Sequence, residues 1–283
     1  MVEFISKEKH EMDKKMVIDE KAKILSHTLT GPGYRFLVLE APQLAKVLVP
    51  GQFVHVKIPS LEESALRRPF SVFDADDGKV TLLYKDVGRG TSALTKAKEG
   101  EELLVMGPLG HGFPSSCKGT PLLIGGGYGV APLHFLAKQL VKNNCKEKPI
   151  LFVGGRTKDD ILAIEYFERL GVQVFLASND GSIGEKGFVT LPLDAKLAEL
   201  KKDGKDFELF TCGPDGLLKA VSDRALDCNM PGWISMDRHM ICGVGACFAC
   251  IQAIRLPDGS VYNARCCVNG PVFKAKEIVW ETK

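Results

Sequence analysis

Apolar and polar positions divide the chain into distinct textures. Residues 1–16 form a polar lead-in. From 17 to 115, short apolar-rich runs recur with turn residues between them. Tyr34–Leu39, Phe53–Ile58, Phe70–Phe73 and Val80–Tyr84 are the clearest runs, and Pro50-Gly51 and Asp76-Asp77-Gly78 are turn chemistry. Regularly spaced short strands of this kind predict an antiparallel barrel.

Between 116 and 230 the pattern changes. Leu122-Leu123-Ile124 is a short buried strand, followed by a glycine-rich loop and a helical pattern to about Leu140. Ile150–Val153, Val172–Ala177 and Glu208–Thr211 are further strands, and Asp160–Leu170 and Leu217–Asp227 are helical. Strands alternating with helices predict a parallel sheet of the dinucleotide-binding kind. Residues 231–283 are rich in cysteine and glycine, with a hairpin expected around Pro257-Asp258-Gly259. The expected fold class is therefore a β-barrel plus an α/β domain, with a small C-terminal domain.

Composition adds exclusions. A net charge of +2 over 283 residues gives no electrostatic case for nucleic acid. Lys201-Lys202 is a solvated helix face or loop. The first twenty residues carry charge where a signal peptide would need an apolar core. The stretch from Thr120 to Ala137 has no Asp, Glu, Lys or Arg, but its four glycines and two prolines read as strand, loop and helix, not as a membrane span. Five of the nine cysteines fall between 242 and 267, unlike the even spread of a secreted disulfide framework. Reduced thiols at a metal site, in a cytoplasmic protein, are expected.

The spacing of those cysteines is specific. Cys242, Cys247 and Cys250 form C-x4-C-x2-C, the plant-type [2Fe–2S] pattern, with a fourth cysteine downstream. Two irons need four thiolates, and a loop supplying three of them must wrap the cluster. Gly243 and Gly245 permit that path, and Ala246 and Ala249 are small. Structural zinc is the alternative, but it prefers two short knuckles and only one is present. Spacing alone leaves Cys266 and Cys267 open as the fourth ligand. Cys117, Cys145, Cys212 and Cys228 are not expected to ligate.

Two segments suit a flavin. In Arg67-Arg68-Pro69-Phe70-Ser71-Val72 an arginine and a serine share one strand, so a guanidinium fork for a diphosphate lies near a hydroxyl for the flavin ring. The alternative is a surface arginine beside an edge-strand proline. Gly88-Arg89-Gly90-Thr91-Ser92 leads into a helical pattern at Ser92–Ala97, an anion site or simply a capped turn.

A nicotinamide site is expected further on. Gly125-Gly126-Gly127-Tyr128-Gly129 follows a strand and opens a helix, although Val130 and Pro132 stand where a G-x-G-x-x-G pattern would need glycine. Cys212-Gly213-Pro214 ends a strand on the ligand side of such sheets, so Cys212 is a candidate contact to the nicotinamide. Asp180 suits an adenosine ribose and favours NAD over NADP. Arg156 could instead take a 2′-phosphate or cap a helix.

The order of these motifs resembles the ferredoxin-NADP+ reductase superfamily. Within it, the chain is similar to the electron-transfer subunits of class 1B dihydroorotate dehydrogenase. The likeness covers about residues 18–280. It rests on Arg68–Ser71, on the Asp180–Gly187 run, on Cys242-Gly243-Val244-Gly245-Ala246-Cys247, and on Cys267-Val268-Asn269-Gly270-Pro271-Val272-Phe273. Two departures are a longer N-terminal lead-in and a cysteine at 266, where the family often has another residue.

The resemblance implies four cluster ligands, Cys242, Cys247, Cys250 and Cys267. It implies FAD at Arg68, Pro69, Phe70, Ser71, Leu83, Tyr84, Lys85, Gly90 and Thr91. NAD(H) would lie at Gly125, Gly126, Gly127, Gly129, Asp180, Cys212, Gly213 and Pro214. It further implies domains at 17–115 for FAD, 116–230 for NAD and 231–283 for the cluster. Electrons would run between NAD(H), FAD, the cluster and FMN in a separate catalytic subunit, with the cluster's exposed rim toward that partner. No dihydroorotate site is visible in this chain. Small subunits of NADH-dependent ferredoxin-NADP+ oxidoreductases and sulfide dehydrogenases share the plan but typically start the cysteine set with aspartate. A redox sensor on the same scaffold is the remaining alternative.

Overall fold

The computed structural model describes residues 17–58 and 66–280; the expected lead-in at 1–16 lies outside them. Six strands close a barrel: β1 (Ile18–Gly31), β2 (Tyr34–Glu40), β3 (Phe53–Val56), β4 (Arg68–Asp76), β5 (Lys79–Lys85) and β6 (Glu102–Leu109). Their order is β1-β2-β5-β4-β3-β6, and every pairing is antiparallel. Leu37, Leu39, Val54, Val56, Val72, Val80, Leu82 and Val105 fill the interior.

The charge-rich run Asp19–Lys23 lies within β1. Its residues alternate between exposed and buried, and Glu20 is among those turned in. The Glu20 carboxylate accepts hydrogen bonds from the amides of Gln43 (3.1 Å) and Leu44 (2.9 Å). Those amides open helix α1 (Pro42–Val47), so the buried charge meets unpaired helix-start donors.

The second sheet has β7 (Thr120–Gly126), β8 (Ile150–Gly155), β9 (Gln173–Ser178), β10 (Glu185–Lys186), β11 (Phe207–Cys212), β12 (Gly232–Ser235) and β15 (Val272–Lys274), in the order β10-β9-β8-β7-β11-β12-β15. All pairs are parallel except β12 with β15. Leu122, Leu123, Ile124, Leu151, Phe152 and Val153 are fully buried, which explains continuous apolar runs in place of alternation. The sheet does not stop at residue 230. Strands β12 and β15 extend it into the C-terminal segment, so the expected boundary falls inside a shared sheet. Between them lie the cysteine loop, the expected hairpin of β13 (Ile251–Arg255) and β14 (Val261–Arg265), and a short helix at Cys266–Asn269.

Two helices differ from expectation. The helix expected over 160–170 spans only Ile164–Arg169, because Ala163 takes a left-handed φ of 58° and Asp160 ends a separate 3-10 turn. The helix expected at Ser92–Ala97 is α2 (Arg89–Leu94), which places Gly90 and Thr91 inside it.

Helix α3 (Val130–Lys142) joins barrel to sheet. His134 stacks on Phe73 of β4 at 4.1 Å between ring centroids, and its Nδ1 bonds the Phe73 carbonyl at 3.0 Å. Lys138 pairs with Asp74 at 2.8 Å and Asp76 at 3.0 Å.

Candidate functional site

Three groups of expected residues meet at the junction of barrel, sheet and cysteine loop. The first is set by sheet topology. Strand β7 is flanked by β8 on one side and β11 on the other, so chain order reverses there and a crevice opens beyond the strand ends. Gly125–Gly129 leaves β7, and Cys212-Gly213-Pro214 leaves β11. A Cβ on Gly129 would run into the Cys212 carbonyl, and one on Gly126 would fall 2.9 Å from Pro214. Burial, then the Asp237 charge, pushes the Cys212 thiol up to about 12. It is therefore a neutral thiol in the crevice wall. Asp180 follows β9 in an exposed turn, where its Oδ1 accepts from the Ser182 amide (3.0 Å) and hydroxyl (2.7 Å).

An ion network holds this crevice against the barrel. The Tyr34 hydroxyl donates to Asp160 at 2.6 Å and accepts from Lys85 at 2.8 Å, and Arg156 pairs with Asp160 at 2.9 Å. Burial would raise the Asp160 carboxyl, but hydrogen bonds from Arg156 and Tyr34 outweigh it and hold the group far below the usual carboxylate range. Asp160→Ala is expected to cost roughly 1–3 kcal/mol at pH 7, because Tyr34 and Lys85 lose their partner. A depressed carboxyl contributes above its unfolded value of about 4, and the contribution fades as pH falls below that. Denaturant unfolding of both proteins at pH 7 and pH 3 checks this: the difference should shrink at pH 3, and an equal loss would contradict it.

The second group lies on β4, β5 and α2. The Arg68 side chain runs across Gly90, where any Cβ would strike the guanidinium; only glycine permits this approach. The Thr91 hydroxyl accepts from the amides of Val87 (2.9 Å) and Gly88 (3.1 Å), so it shapes the turn. The side chains of Leu83, Tyr84 and Lys85 have partners of their own. Leu83 is buried against Tyr34 and Phe36, Tyr84 bonds His27 at 2.9 Å, and Lys85 serves the Asp160 network, which leaves their backbone. Phe70 is buried among barrel residues, edge-on to Tyr84 at 5.5 Å. Pro69 pairs with His55, and Ser71, half-buried, pairs with Phe53.

The third group is the cysteine loop. Gly243 and Gly245 take φ of 69° and 84°. Burial alone would raise the Cys242 thiol, but the amides of Val244, Cys247 and Ala246 and the Cys247 thiol hydrogen-bond to it and pull it down to about 6. The Ala246 amide donates to its sulfur at 3.2 Å. Cys242 is thus poised as a thiolate. Cys250 pairs instead with Cys267, whose amide donates to the Cys250 sulfur at 3.4 Å. Burial and the adjacent Cys250 thiol push Cys267 up to about 12, opposed by the Gly245 amide. Cys266 is raised to about 12 by burial and Cys250, opposed by Arg238 rather than by the loop. Among the described residues, the thiols pair two and two, and no three converge on a single-ion site.

The groups touch through residues not singled out as cofactor ligands. Tyr128, in the glycine loop, donates to Asp237 ahead of the cysteines at 3.0 Å. Arg265 donates to the Gly245 carbonyl at 2.9 Å. His55 of β3 meets Gly243, and burial followed by the Arg67 and Arg68 charges pulls its ring down to about 4. The sequence signal for His55 is a lone titratable residue in an otherwise apolar strand.

Comparison with known proteins gives these groups a family. Residues 123–223 match an oxidoreductase NAD-binding domain, and residues 237–279 match the iron-sulfur cluster binding domain of dihydroorotate dehydrogenase B. Over 267 residues the chain is 36% identical to the dihydroorotate dehydrogenase B (NAD(+)) electron transfer subunit of Desulforamulus reducens, covering 92% of this chain and 98% of that one. The chain belongs to that family. The Bacillus mycoides electron transfer subunit is 40% identical over 250 residues, covering 86% of this chain and 92% of its own. Among solved structures, one reported for an NADH-dependent reduced ferredoxin-NADP oxidoreductase matches with a TM-score of 0.80 and 30% identity, over 92% of this chain and 90% of that one. This electron transfer subunit is an oxidoreductase component whose cofactors are a [2Fe–2S] cluster, FAD and NAD(H). Its family name implies a catalytic partner subunit and a place in pyrimidine biosynthesis. Among the described residues no helix is long and apolar enough to cross a membrane.

Proposed function

We propose that this subunit carries electrons between NAD(H) in the β7–β11 crevice and an FMN-bearing dihydroorotate dehydrogenase subunit in the cytoplasm. The observation that carries the proposal is the contact of all three residue groups within one chain. Tyr128 links the crevice to the cysteine segment, and β3 links the Arg68 strand to Gly243.

The donor sets fit their groups. Paired thiols at Cys242 with Cys247, and at Cys250 with Cys267, suit one iron each, and loop amides already point at sulfur. Arg68 across Gly90 suits a diphosphate, with Pro69, Phe70, Ser71, Thr91 and the Leu83–Lys85 backbone around the flavin. Gly125, Gly126, Gly127 and Gly129, with Cys212, Gly213 and Pro214, line the nicotinamide crevice. The flavin takes two electrons at once and releases them singly, and the cluster carries one. The chain's own part is to orient these groups. Exposed Ile241, Val244 and Phe248 on the cysteine loop, with Ile251 just after it, suit a partner surface.

Copurification tests the assignment. An FMN protein that reduces orotate with NADH only when this chain is present supports it. Copurification with a ferredoxin-NADP-reducing subunit would instead support the ferredoxin-NADP+ oxidoreductase reading; a structure reported for such an enzyme shares this fold at a TM-score of 0.80.

Asp180 sets the nucleotide preference. Its carboxylate would bond a ribose and repel a 2′-phosphate, so kcat/KM should favour NADH, and Asp180→Ala should narrow the ratio by roughly tenfold for one lost charged contact. Equal kinetics with both nucleotides in the unmodified protein would contradict this.

A further inference from the structure

His55 is fully buried, and neither ring nitrogen has a hydrogen-bond partner. Buried polar atoms are almost always satisfied, so such a ring points to a ligand absent from the chain itself. Its surroundings narrow the choice. Val54 and Val56 face the barrel interior, while Phe53 and His55 lie on the outer face of β3. On that face the N–C–N edge of the ring is turned to Gly243. A Cβ there would lie 2.6 Å from Cε1, 2.8 Å from Nε2 and 2.9 Å from Nδ1. Gly243 is buried and directly follows Cys242, so the polar edge of the ring meets the loop beside its first sulfur.

We propose that His55 donates a ring N–H hydrogen bond to the iron–sulfur group at Cys242, and so acts as a positioning residue that fixes the loop to the flavin-bearing wall and raises the cluster's reduction potential. The proposal rests on the cluster assignment above. A hydrogen bond to sulfur stabilises the extra negative charge of the reduced state, which moves the potential up. Since β3 pairs with β4 at Pro69, the same ring joins the strand that holds the flavin to the loop that holds the cluster.

The test uses the cofactor-loaded chain with its copurified partner. His55→Phe should retain iron and FAD yet titrate at a more negative cluster potential, with the flavin potential unmoved. His55→Gln, which keeps a donor, should recover part of the shift. In protein labelled with 15N-histidine, the reduced cluster should show hyperfine coupling to an imidazole nitrogen that survives His239→Asn, at the histidine three residues before Cys242, and vanishes in His55→Phe. An unchanged cluster potential without such coupling overturns the proposal, and so does a shift confined to the flavin. If His55→Phe fails to hold the cluster, the labelled His239→Asn protein decides alone, and absence of coupling overturns the proposal. A chain that binds no iron would instead refute the ligand assignment.

Discussion

Replacing Cys267 by serine is expected to remove most of the iron and the visible absorbance of the cluster, while Cys266→Ser keeps both. The two cysteines are adjacent and both buried, but their surroundings differ. The Cys267 thiol bonds that of Cys250 and is influenced by the Gly245 amide and by Cys242, all on the cysteine loop. Cys266 is raised by burial and by Cys250, and lowered by Arg238. Removing one of four thiolates leaves an iron three-coordinate, whereas removing Cys266 substitutes a buried hydroxyl for a thiol. The second change should cost about 1–3 kcal/mol of stability and no iron. Iron per chain and the visible spectrum decide the matter, and the opposite pattern would assign the ligand to Cys266.

Arg68→Ala is expected to weaken FAD retention by roughly tenfold to a hundredfold, the worth of a charge-assisted, two-pronged contact. The Arg68 side chain lies over Gly90, where a Cβ would meet its guanidinium. Its Nη1 currently bonds the carbonyls of Leu66 (2.9 Å) and Arg67 (3.2 Å), which keeps the fork beside the strand. Thr91 should matter less directly, because its hydroxyl is committed to the turn. FAD dissociation followed by fluorescence after dilution measures the effect, and unchanged flavin stoichiometry and affinity would contradict it.

The barrel, the parallel sheet and the cysteine loop were legible because each has a local signature. Turn residues marked the short strands, continuous apolar runs marked β7, β8 and β11, and ligand spacing marked the metal loop. Features that depend on distant partners were not legible. Strand β1 hid behind the charges of Asp19–Lys23, since the helix start that satisfies Glu20 comes from residues 43 and 44. The 160–170 helix begins only at Ile164, after the 3-10 turn that ends at Asp160 and the left-handed Ala163, and Asp160 bonds Tyr34 of the barrel. Strands β12 and β15 are four and three residues long, and only the existing sheet edge gives them a place. Leu83, Tyr84 and Lys85 fall in the expected segment, but their side chains answer to the barrel core and the crevice network. His55 carries no motif and is distinguished only by what surrounds it.

Under the proposed route, electrons from a dihydroorotate-oxidising partner should reach the cluster on this chain, and electrons from NADH should reach it by way of FAD. Anaerobic electron paramagnetic resonance of the copurified complex tests this most directly. The reduced-cluster signal is expected after addition of NADH and, in a separate sample, after addition of dihydroorotate. A complex whose cluster is reduced by NADH but stays oxidised with dihydroorotate would contradict it.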